Sequence, residues 1–216
     1  MVTRYDPAGI QAESEPGSRG RVLRNLLGIA RVRDMALAES QALSLAQAQA
    51  VEIYSQEQRV SANDICDLHR LWLGDIYAWA GQYRNVNMAK GGFPFAAAQQ
   101  IPRLMREFER SELARYTPCR MNSSQEIAEA LAVVHGELIL IHPFREGNGR
   151  LARLIALLMG LQAVLPPLDF SPLQGRGKRR YVAGIQAAMG KDYQLLTEMF
   201  ERVIDQTWKS VSSSGR

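Results

Sequence analysis

The spacing of apolar residues along the chain predicts a mostly helical protein. After a capping signal at Ser123-x-x-Glu126, apolar residues recur at steps of three or four: Ile127, Leu131, Val134, Leu138 and Ile141. Such steps keep the side chains on one face of an α-helix. A second run with the same spacing, Leu151, Leu154, Leu158 and Leu161, predicts another helix that Pro166-Pro167 would end.

Four further stretches have helical character. Residues 33–55 are rich in Ala, Leu and Gln and contain no Gly or Pro, which favours one long helix. Ser61-x-x-Asp64 has the form of a helix start, and apolar residues then recur at helical spacing. The remaining helices are predicted over residues 96–113, 181–189 and 193–204.

Residues 79–95 interrupt the helical pattern. Residues 84–88 have modest strand character, and Gly91-Gly92 is a turn signal that precedes Phe93-Pro94-Phe95. The pattern therefore predicts an all-α fold with one small β-hairpin. Residues 1–20 are rich in turn-forming residues and predict an N-terminal arm. Residues 21–208 then form one domain, and residues 209–216 form a tail.

Composition narrows the function classes. The net charge of +4 is too small for a dedicated nucleic-acid-binding protein, so no specific nucleic acid is expected. The basic residues 176–180 are either a solvated helix start or a phosphate-facing edge. No apolar run approaches 18 residues, and the N-terminus lacks a secretion signal. With Cys66 and Cys119 in no metal or disulfide pattern, a cytoplasmic protein without a membrane segment is expected.

The densest chemistry lies in the motif HPFREGNGR, residues 142–150, between the two best-defined helices. Pro143 stops the first helix, and Gly147-Asn148-Gly149 precedes the second. Glycines let several backbone N–H groups point in one direction, and the helix N-terminus adds its dipole, which together predict an anion site. Arg150 and Arg153, three residues apart on one helix face, suit a polyphosphate.

A carboxylate and a histidine complete the motif. Glu146 would repel a phosphate unless a cation lies between them, and Mg²⁺ takes one or two carboxylates together with phosphate oxygens. His142 lies at the rim of the anion site, where a neutral imidazole can take a proton from an incoming hydroxyl. The motif therefore predicts a magnesium ligand, Glu146, and a general base, His142.

This stretch resembles the signature of the Fic (Fido) family, H-x-F-x-[D/E]-G-N-G-R-x-x-R. Every defined position is matched: His142, Phe144, Glu146, Gly147, Asn148, Gly149, Arg150 and Arg153. The resemblance extends to LHRLWLGDIYAWAGQYR (68–84), NMAKGGFPFA (87–96) and GKRRYVAGIQAAM (177–189). It implies about eight helices around a central motif-bearing pair, with a β-hairpin flap over the site.

The resemblance also implies the reaction. Such a protein transfers AMP from ATP to a Tyr, Thr or Ser hydroxyl of a target protein, itself included, and releases pyrophosphate. His142 would be the general base and Glu146 the Mg²⁺ ligand. Gly147, Asn148 and Gly149 would form the anion hole, and Arg150 and Arg153 would hold the β- and γ-phosphates.

Further contacts follow from the resemblance. Tyr77, Ile139 and Lys178 would contact the nucleotide, although Tyr77 can equally be a core aromatic residue. The flap, with Lys90, Gly91, Gly92 and Phe93 at its centre, would bind the target by strand addition.

Many family members are restrained by an inhibitory helix, [S/T]-x-x-x-E-[G/N], whose glutamate pairs with the second motif arginine. This chain lacks that pattern, and its nearest imitation is Thr197-x-x-x-Glu201. Restraint is therefore expected from a separate small antitoxin-like protein or from homo-oligomerisation, or it is absent.

Alternative functions use the same residues differently. UMP, GMP or phosphocholine transfer, removal of AMP, and phosphorylation are enzymatic alternatives. A second class is a nucleotide-gated binding module without catalysis, against which an intact His142 argues. A DNA-binding regulator would rest only on the charge and the basic cluster.

Overall fold

The computed structural model describes residues 11, 13–54 and 56–214, so most of the predicted arm at residues 1–20 lies outside the described residues. The chain forms two compact units. The first comprises the described residues of 11–53, 61–107 and 141–151, and the second those of 54–60, 108–140 and 152–214. No helix of the described chain has the length and apolarity that a membrane crossing needs.

The first unit contains two long helices, a hairpin and a third helix. Helix α1 runs over Val32–Ile53 and α2 over Ala62–Leu73. Strands β1, Ala89–Lys90, and β2, Phe93–Pro94, pair in antiparallel fashion. A 3₁₀ turn, Ala98–Gln100, leads into α3, Ile101–Phe108.

The second unit includes residues 54–60 and resumes at Phe108, where α3 passes into a π-helical turn, Glu109–Leu113, and the short helix α4, Ala114–Tyr116. Helix α5 runs over Ser124–Ile141 and α6 over Asn148–Gln162. After two 3₁₀ turns, Ser171–Leu173 and Gly175–Gly177, come α7 over Lys178–Ala187, a 3₁₀ turn Ala188–Gly190, and α8 over Gln194–Ser214.

The predicted helix starts are confirmed by their caps. At α2, the Ser61 hydroxyl accepts a hydrogen bond from the Asp64 N–H at 3.1 Å, and the Asp64 carboxylate accepts one from the Ser61 N–H at 2.8 Å. The same reciprocal pair joins Ser123 and Glu126 ahead of α5. Each cap satisfies N–H groups that have no partner within the helix.

The predicted apolar faces form the cores of the two units. In α5 the five predicted positions are all buried, and in α8 the buried side chains include Leu196, Phe200 and Val203. Helix α6 ends at Gln162, four residues before the Pro166-Pro167 pair that we expected to end it, and Val164 then takes a left-handed backbone. Helix α8 is longer than predicted and continues into the segment 209–216.

The hairpin is confirmed, but the strand prediction for residues 84–88 is wrong. Ala89 pairs with Pro94 and Lys90 with Phe93, which leaves Gly91 and Gly92 as a two-residue turn. Both glycines have positive φ, 59° and 80°, as a tight hairpin turn requires. Residues 84–88 have no strand pairing because Arg84 is buried there and its guanidinium binds backbone carbonyls instead.

Candidate active site

Six residues, 142–147, connect α5 to α6 and carry most of the predicted motif. His142 has a left-handed backbone, with φ of 52°, which turns the chain sharply away from α5. Pro143 follows, and its carbonyl accepts a hydrogen bond from the Arg84 N–H at 2.8 Å. The helix therefore stops where the proline was expected to stop it.

The Asn148 side chain closes this loop. Its Oδ1 accepts a hydrogen bond from the Phe144 N–H at 2.9 Å, and its Nδ2 donates to the Phe144 carbonyl at 2.7 Å. The oxygen and the nitrogen of this buried amide thus both bind one residue of the loop. Any contribution of Asn148 to an anion hole therefore comes from its backbone N–H.

His69 packs against the loop through Phe144 and the Glu146 carbonyl. Phe144 is fully buried, and its ring stacks on His69 with centroids 3.9 Å apart. His69 Nδ1 accepts a hydrogen bond from the Gly81 N–H at 2.8 Å, so the neutral ring carries its proton on Nε2 and donates to the Glu146 carbonyl at 3.1 Å. Burial lowers the pKa of His69 to about 4.

Positions 147 and 149 differ in what a side chain larger than glycine would meet there. Gly147 has φ of 84°, and a Cβ there would lie 2.6 Å from a carbon of the Trp72 ring. A Cβ on Gly149 would meet no atom within 4 Å beyond its chain neighbours and the backbone of its own helix. The space beside the first turn of α6 is thus open, and the N–H groups of a first turn have no partner within their own helix. This end of α6 can accept an anion.

Glu146 lines a cavity of about 200 Å³ in the first unit. Its side chain is 45% exposed, and its Oε1 accepts a hydrogen bond from the Gly147 N–H at 2.8 Å. Arg21, Glu39 and Tyr77 also contribute to the cavity wall. A half-exposed carboxylate at the start of α6 has the hard oxygen donors that Mg²⁺ prefers.

Arg150 is held between a carboxylate and an aromatic ring. Its Nη2 donates to Glu39 Oε2 at 2.7 Å, and its guanidinium lies 4.6 Å from the centre of the Trp72 ring. Trp72 also donates its indole N–H to the Glu39 carbonyl at 2.8 Å. Glu39 is buried, and it fixes the guanidinium before any phosphate arrives.

Tyr77 occupies a core position. It is only 2% exposed, its ring stacks on Trp79, and its hydroxyl donates to Glu39 Oε1 at 2.7 Å. Burial and the Glu39 charge raise the pKa of Tyr77. This environment supports the alternative that Tyr77 is a structural aromatic residue, and its contact with a nucleotide stays a prediction.

His142 and the flap belong to the same unit. The His142 ring is half-buried and stacks on Phe95, just after the hairpin. Lys90, Gly91 and Gly92 are exposed, and Phe93 is half-buried. Exposed edges of a two-stranded hairpin are available for pairing with another strand.

The other predicted site residues, Ile139, Arg153 and Lys178, lie in the second unit. Ile139 is buried, whereas Lys178 is exposed at the first position of α7. Arg153 lies close to buried His135 and half-buried Tyr181, whose ring Nε2 and hydroxyl are 2.8 Å apart. Burial lowers the pKa of His135 to about 3, and the Arg153 charge acts in the same direction. Within this unit, the basic residues of 176–180 are exposed, and Arg180 pairs with Glu198.

The sequence reasoning missed three residues that hold the site: Glu39, Arg84 and Phe95. Glu39 did carry a signal, because it shares the buried face of α1 with Met35, Ala46 and Ala50. A charged residue on an apolar helix face needs a partner of opposite charge. Arg84 and Phe95 carried no such signal, since their partners are distant in sequence.

Comparison with known proteins identifies the same region. A family model described as Fic/DOC family matches residues 59–159. The chain is 31% identical over 137 residues to a probable protein adenylyltransferase, y4lH, of Sinorhizobium fredii, which covers 63% of this chain and 69% of that protein. It is 33% identical over 134 residues to protein adenylyltransferase VbhT of Bartonella schoenbuchensis. That match covers 61% of this chain but only 27% of VbhT.

Solved structures share the fold. BepC of Bartonella tribocorum, crystallised with bound AMPPNP, superposes with a TM-score of 0.67 at 23% identity, over 84% of this chain and 91% of that one. The Fic domain of an effector from Bartonella sp. AR 15-3 gives a TM-score of 0.72 at 19% identity, over 94% of both chains. The predicted helical fold with a small hairpin is thereby confirmed.

Acid should destabilise the protein through His69. Its pKa is about 4 when folded and about 6.5 when unfolded, so the unfolded chain binds the proton more tightly. Stability from the neutral ring is therefore complete above pH 6.5 and is lost as the pH falls towards 4, by about 3 kcal/mol in total. The free energy of unfolding, measured with urea at several pH values in this range, should depend less steeply on pH in His69→Gln than in the parent chain. Equal slopes would contradict the assignment, because buried His135 contributes to both proteins.

The two motif glycines should respond oppositely to alanine. Gly147→Ala should lower the free energy of unfolding by about 1–3 kcal/mol, because its Cβ meets Trp72 and its φ is positive. Gly149→Ala should fold at least as stably as the parent, because alanine favours a helix. Its methyl group should nevertheless weaken ATP binding, measured by calorimetry, at least tenfold. Unchanged ATP affinity in Gly149→Ala would contradict an anion site at this helix end.

Proposed function

The chain belongs to the Fic/DOC family, and on that basis we propose that it transfers AMP from ATP to a hydroxyl side chain of a target protein. The relatives named above are themselves adenylyltransferases, one of them marked as probable. The chain spans about two thirds of y4lH and about a quarter of VbhT. The proposal therefore rests on the site itself, together with these relatives.

The observation that carries the proposal is the start of α6. An open first turn at Gly149, a fixed Arg150 guanidinium and a half-exposed Glu146 carboxylate occur within one turn of each other. Backbone N–H groups, an arginine and a carboxylate are the groups that a metal-bound polyphosphate requires. A module for a neutral ligand would need none of them.

Mg²⁺ is the cation proposed for Glu146. The exposed Glu146 carboxylate supplies one hard ligand and opens onto the cavity, so it fits an ion whose other ligands are phosphate oxygens. When bound, the ion would neutralise charge on the triphosphate and polarise the α-phosphate. Glu146 orients the ion from the protein side, and the Gly147 N–H orients Glu146.

His142 is proposed to take the proton. The hydroxyl oxygen of the target forms a bond to the α-phosphorus, and the bond from that phosphorus to the bridging oxygen of the β-phosphate breaks. The proton passes from the hydroxyl to the His142 imidazole, and pyrophosphate leaves with the electrons of the broken bond. Positioning and charge stabilisation supply most of the acceleration in such displacements.

The remaining residues are proposed to hold the nucleotide. The N–H groups of Asn148 and Gly149 would bind phosphate oxygens, and Gly147, whose own N–H donates to Glu146, would shape the anion hole through its backbone turn. Arg150 and Arg153 would hold the β- and γ-phosphates. Lys178, Ile139 and Tyr77 would contact the nucleotide outside the triphosphate. The exposed, charged side chain of Lys178 suits this role better than the engaged hydroxyl of Tyr77.

The target protein is proposed to pair with the flap. Strands β1 and β2 are two residues long, so their edges expose backbone groups beside Lys90 and Phe93. Main-chain pairing would accept many sequences and would present one target hydroxyl to His142. The same mode allows self-modification.

Restraint by a separate small antitoxin-like protein is also proposed. Thr197 and Glu201, the imitation of an inhibitory helix, line an open groove of about 480 Å³ on the second unit. Within the first unit, Glu39 of α1 is a glutamate outside the motif that binds a motif arginine, Arg150. It does not belong to an inhibitory-helix pattern. Homo-oligomerisation is the alternative source of restraint.

His142→Ala should abolish most transfer. The protein is incubated with Mg²⁺ and ATP labelled on the α-phosphate in a cell lysate. We expect a labelled target band with the parent chain and a loss of about 10²–10⁴-fold in its rate of labelling with the variant. ATP binding should persist in His142→Ala, whereas Glu146→Gln should lose the Mg²⁺ dependence of binding.

Other outcomes of the same assay identify the alternatives. Label from γ-labelled ATP alone would indicate phosphorylation, and label from UTP or GTP another nucleotide donor. Full labelling by His142→Ala would exclude this residue as the base. Tight ATP binding without any label would favour a binding module.

The restraint is tested through self-modification. A small protein that co-purifies with the chain should slow the rate of self-modification when it is added back in excess. The rate per molecule should not change on dilution of the chain alone. A rate per molecule that rises on dilution would indicate restraint by oligomerisation instead. A fully active chain that binds no small protein would contradict restraint by a separate partner.

A further inference from the structure

The residue that follows the hairpin lies directly on the proposed base. Phe95 comes one position after β2, and its ring faces the His142 ring with centroids 3.6 Å apart and planes 9° apart. The hairpin closes at the same residue, because the Phe95 N–H donates to the Met88 carbonyl at 3.0 Å. The contact therefore joins the flap to the connection between α5 and α6.

A buried arginine fixes both sides of this contact. Arg84 is 1% exposed, and its guanidinium donates to carbonyls on each side of the hairpin, Val86 at 2.5 Å and Ala96 at 2.6 Å. It also donates to the carbonyls of His142 at 2.6 Å and Ile141 at 3.3 Å. One guanidinium thus ties the base of the flap to the end of α5.

The stack constrains χ2 of His142, the torsion that sets the plane of the imidazole ring. Rotation of an imidazole about χ2 is broad and has no sharp minimum, so an isolated histidine samples many ring planes. A face-to-face neighbour selects one ring plane, and it covers the face of the imidazole and not the edge that carries the nitrogens. Once the base has accepted a proton, the imidazolium lies over the face of an aromatic ring, a favourable arrangement for a cation.

We propose that Phe95 is a positioning residue for His142, so that the flap both binds the target and orients the base. This inference rests on the proposed function. Phe95 acts through His142 and not on the reacting atoms. Pairing of a target strand with β2 then occurs two residues or fewer from the contact that sets the imidazole plane, which couples target binding to the geometry of proton transfer.

The stack is tested first without any activity measurement. The chain has three histidines, and two of them, His69 and His135, are buried away from the flap contact and serve as internal references. The NMR resonances of the His142 ring protons are identified by their loss in His142→Ala. They should lie upfield in the parent chain and move downfield in Phe95→Leu, while the resonances of the two reference histidines do not shift. Phe95→Tyr should restore the upfield positions.

The kinetic consequence is tested next, with ATP and target both varied. Phe95→Leu should lower kcat about twofold to tenfold, the range expected for loss of one aromatic pair, with KM for the target and Kd for ATP unchanged. Phe95→Tyr should retain most of kcat. The matched variant Phe93→Leu removes the other flap ring, which contacts Phe95 by its edge at 5.9 Å, and should raise KM for the target while the His142 resonances stay in place.

The outcomes separate this inference from the proposed function. His142 resonances that do not respond to Phe95→Leu would overturn it, whether or not AMP is transferred. A loss expressed only in KM for the target would also overturn it, because Phe95 would then be part of the target-binding surface alone. A parent chain that transfers no AMP but shows the resonance shift would refute the proposed function and keep the stack. Movement of the buried reference histidines would reveal a folding defect, and Phe95→Tyr would then decide the question.

Discussion

The geometry of the site depends on how Asn148 holds the loop that joins α5 to α6. Its side chain satisfies both backbone groups of Phe144, at 2.9 and 2.7 Å, across a connection of only six residues. Without that pair, two buried peptide groups would lack partners, and each unsatisfied group costs about 1–3 kcal/mol. The same bonds fix where α6 begins, and hence where its N-terminal N–H groups point. The position of the proposed anion site thus follows from closing the loop.

Two arginines that contact the loop, Arg84 and Arg150, have different kinds of partner. Arg84 is buried, and its guanidinium donates to the backbone carbonyls of Val86, Ala96 and His142, which fixes the base of the flap. Arg150 has a carboxylate, Glu39, on one side and the Trp72 ring beneath it. Glu39 orients the guanidinium and also offsets part of its charge. Arg150 is therefore already oriented in the structure, as its proposed role in holding phosphate requires.

Much of the fold was readable from the chain because local rules decide it. The capping pairs at Ser61 and Ser123, the apolar face of α5 and the Gly91-Gly92 turn each depend on residues within a few positions of one another. Errors arose where a distant partner overrides local preference. Residues 84–88 have the composition of a strand, but the buried Arg84 side chain binds the Val86 carbonyl within this stretch and carbonyls of two other segments, at Ala96 and His142, which removes that option. The end of α6 was misplaced because the chain turns at Val164 before its prolines are reached.

The sequence by itself determined the chemistry of this protein: the helical framework, the hairpin and the run from His142 to Arg153 are all encoded by residue type and short spacing. Only the tertiary structure decided the environment of each group. It assigned the Asn148 side chain to the loop, placed Tyr77 in the core, paired Arg150 with Glu39 and laid Phe95 on His142. The physical reason is that all but the Asn148 contact join residues far apart in the chain, up to 111 positions for Glu39 and Arg150, and burial and charge pairing at such separations have no periodic signature in a single sequence.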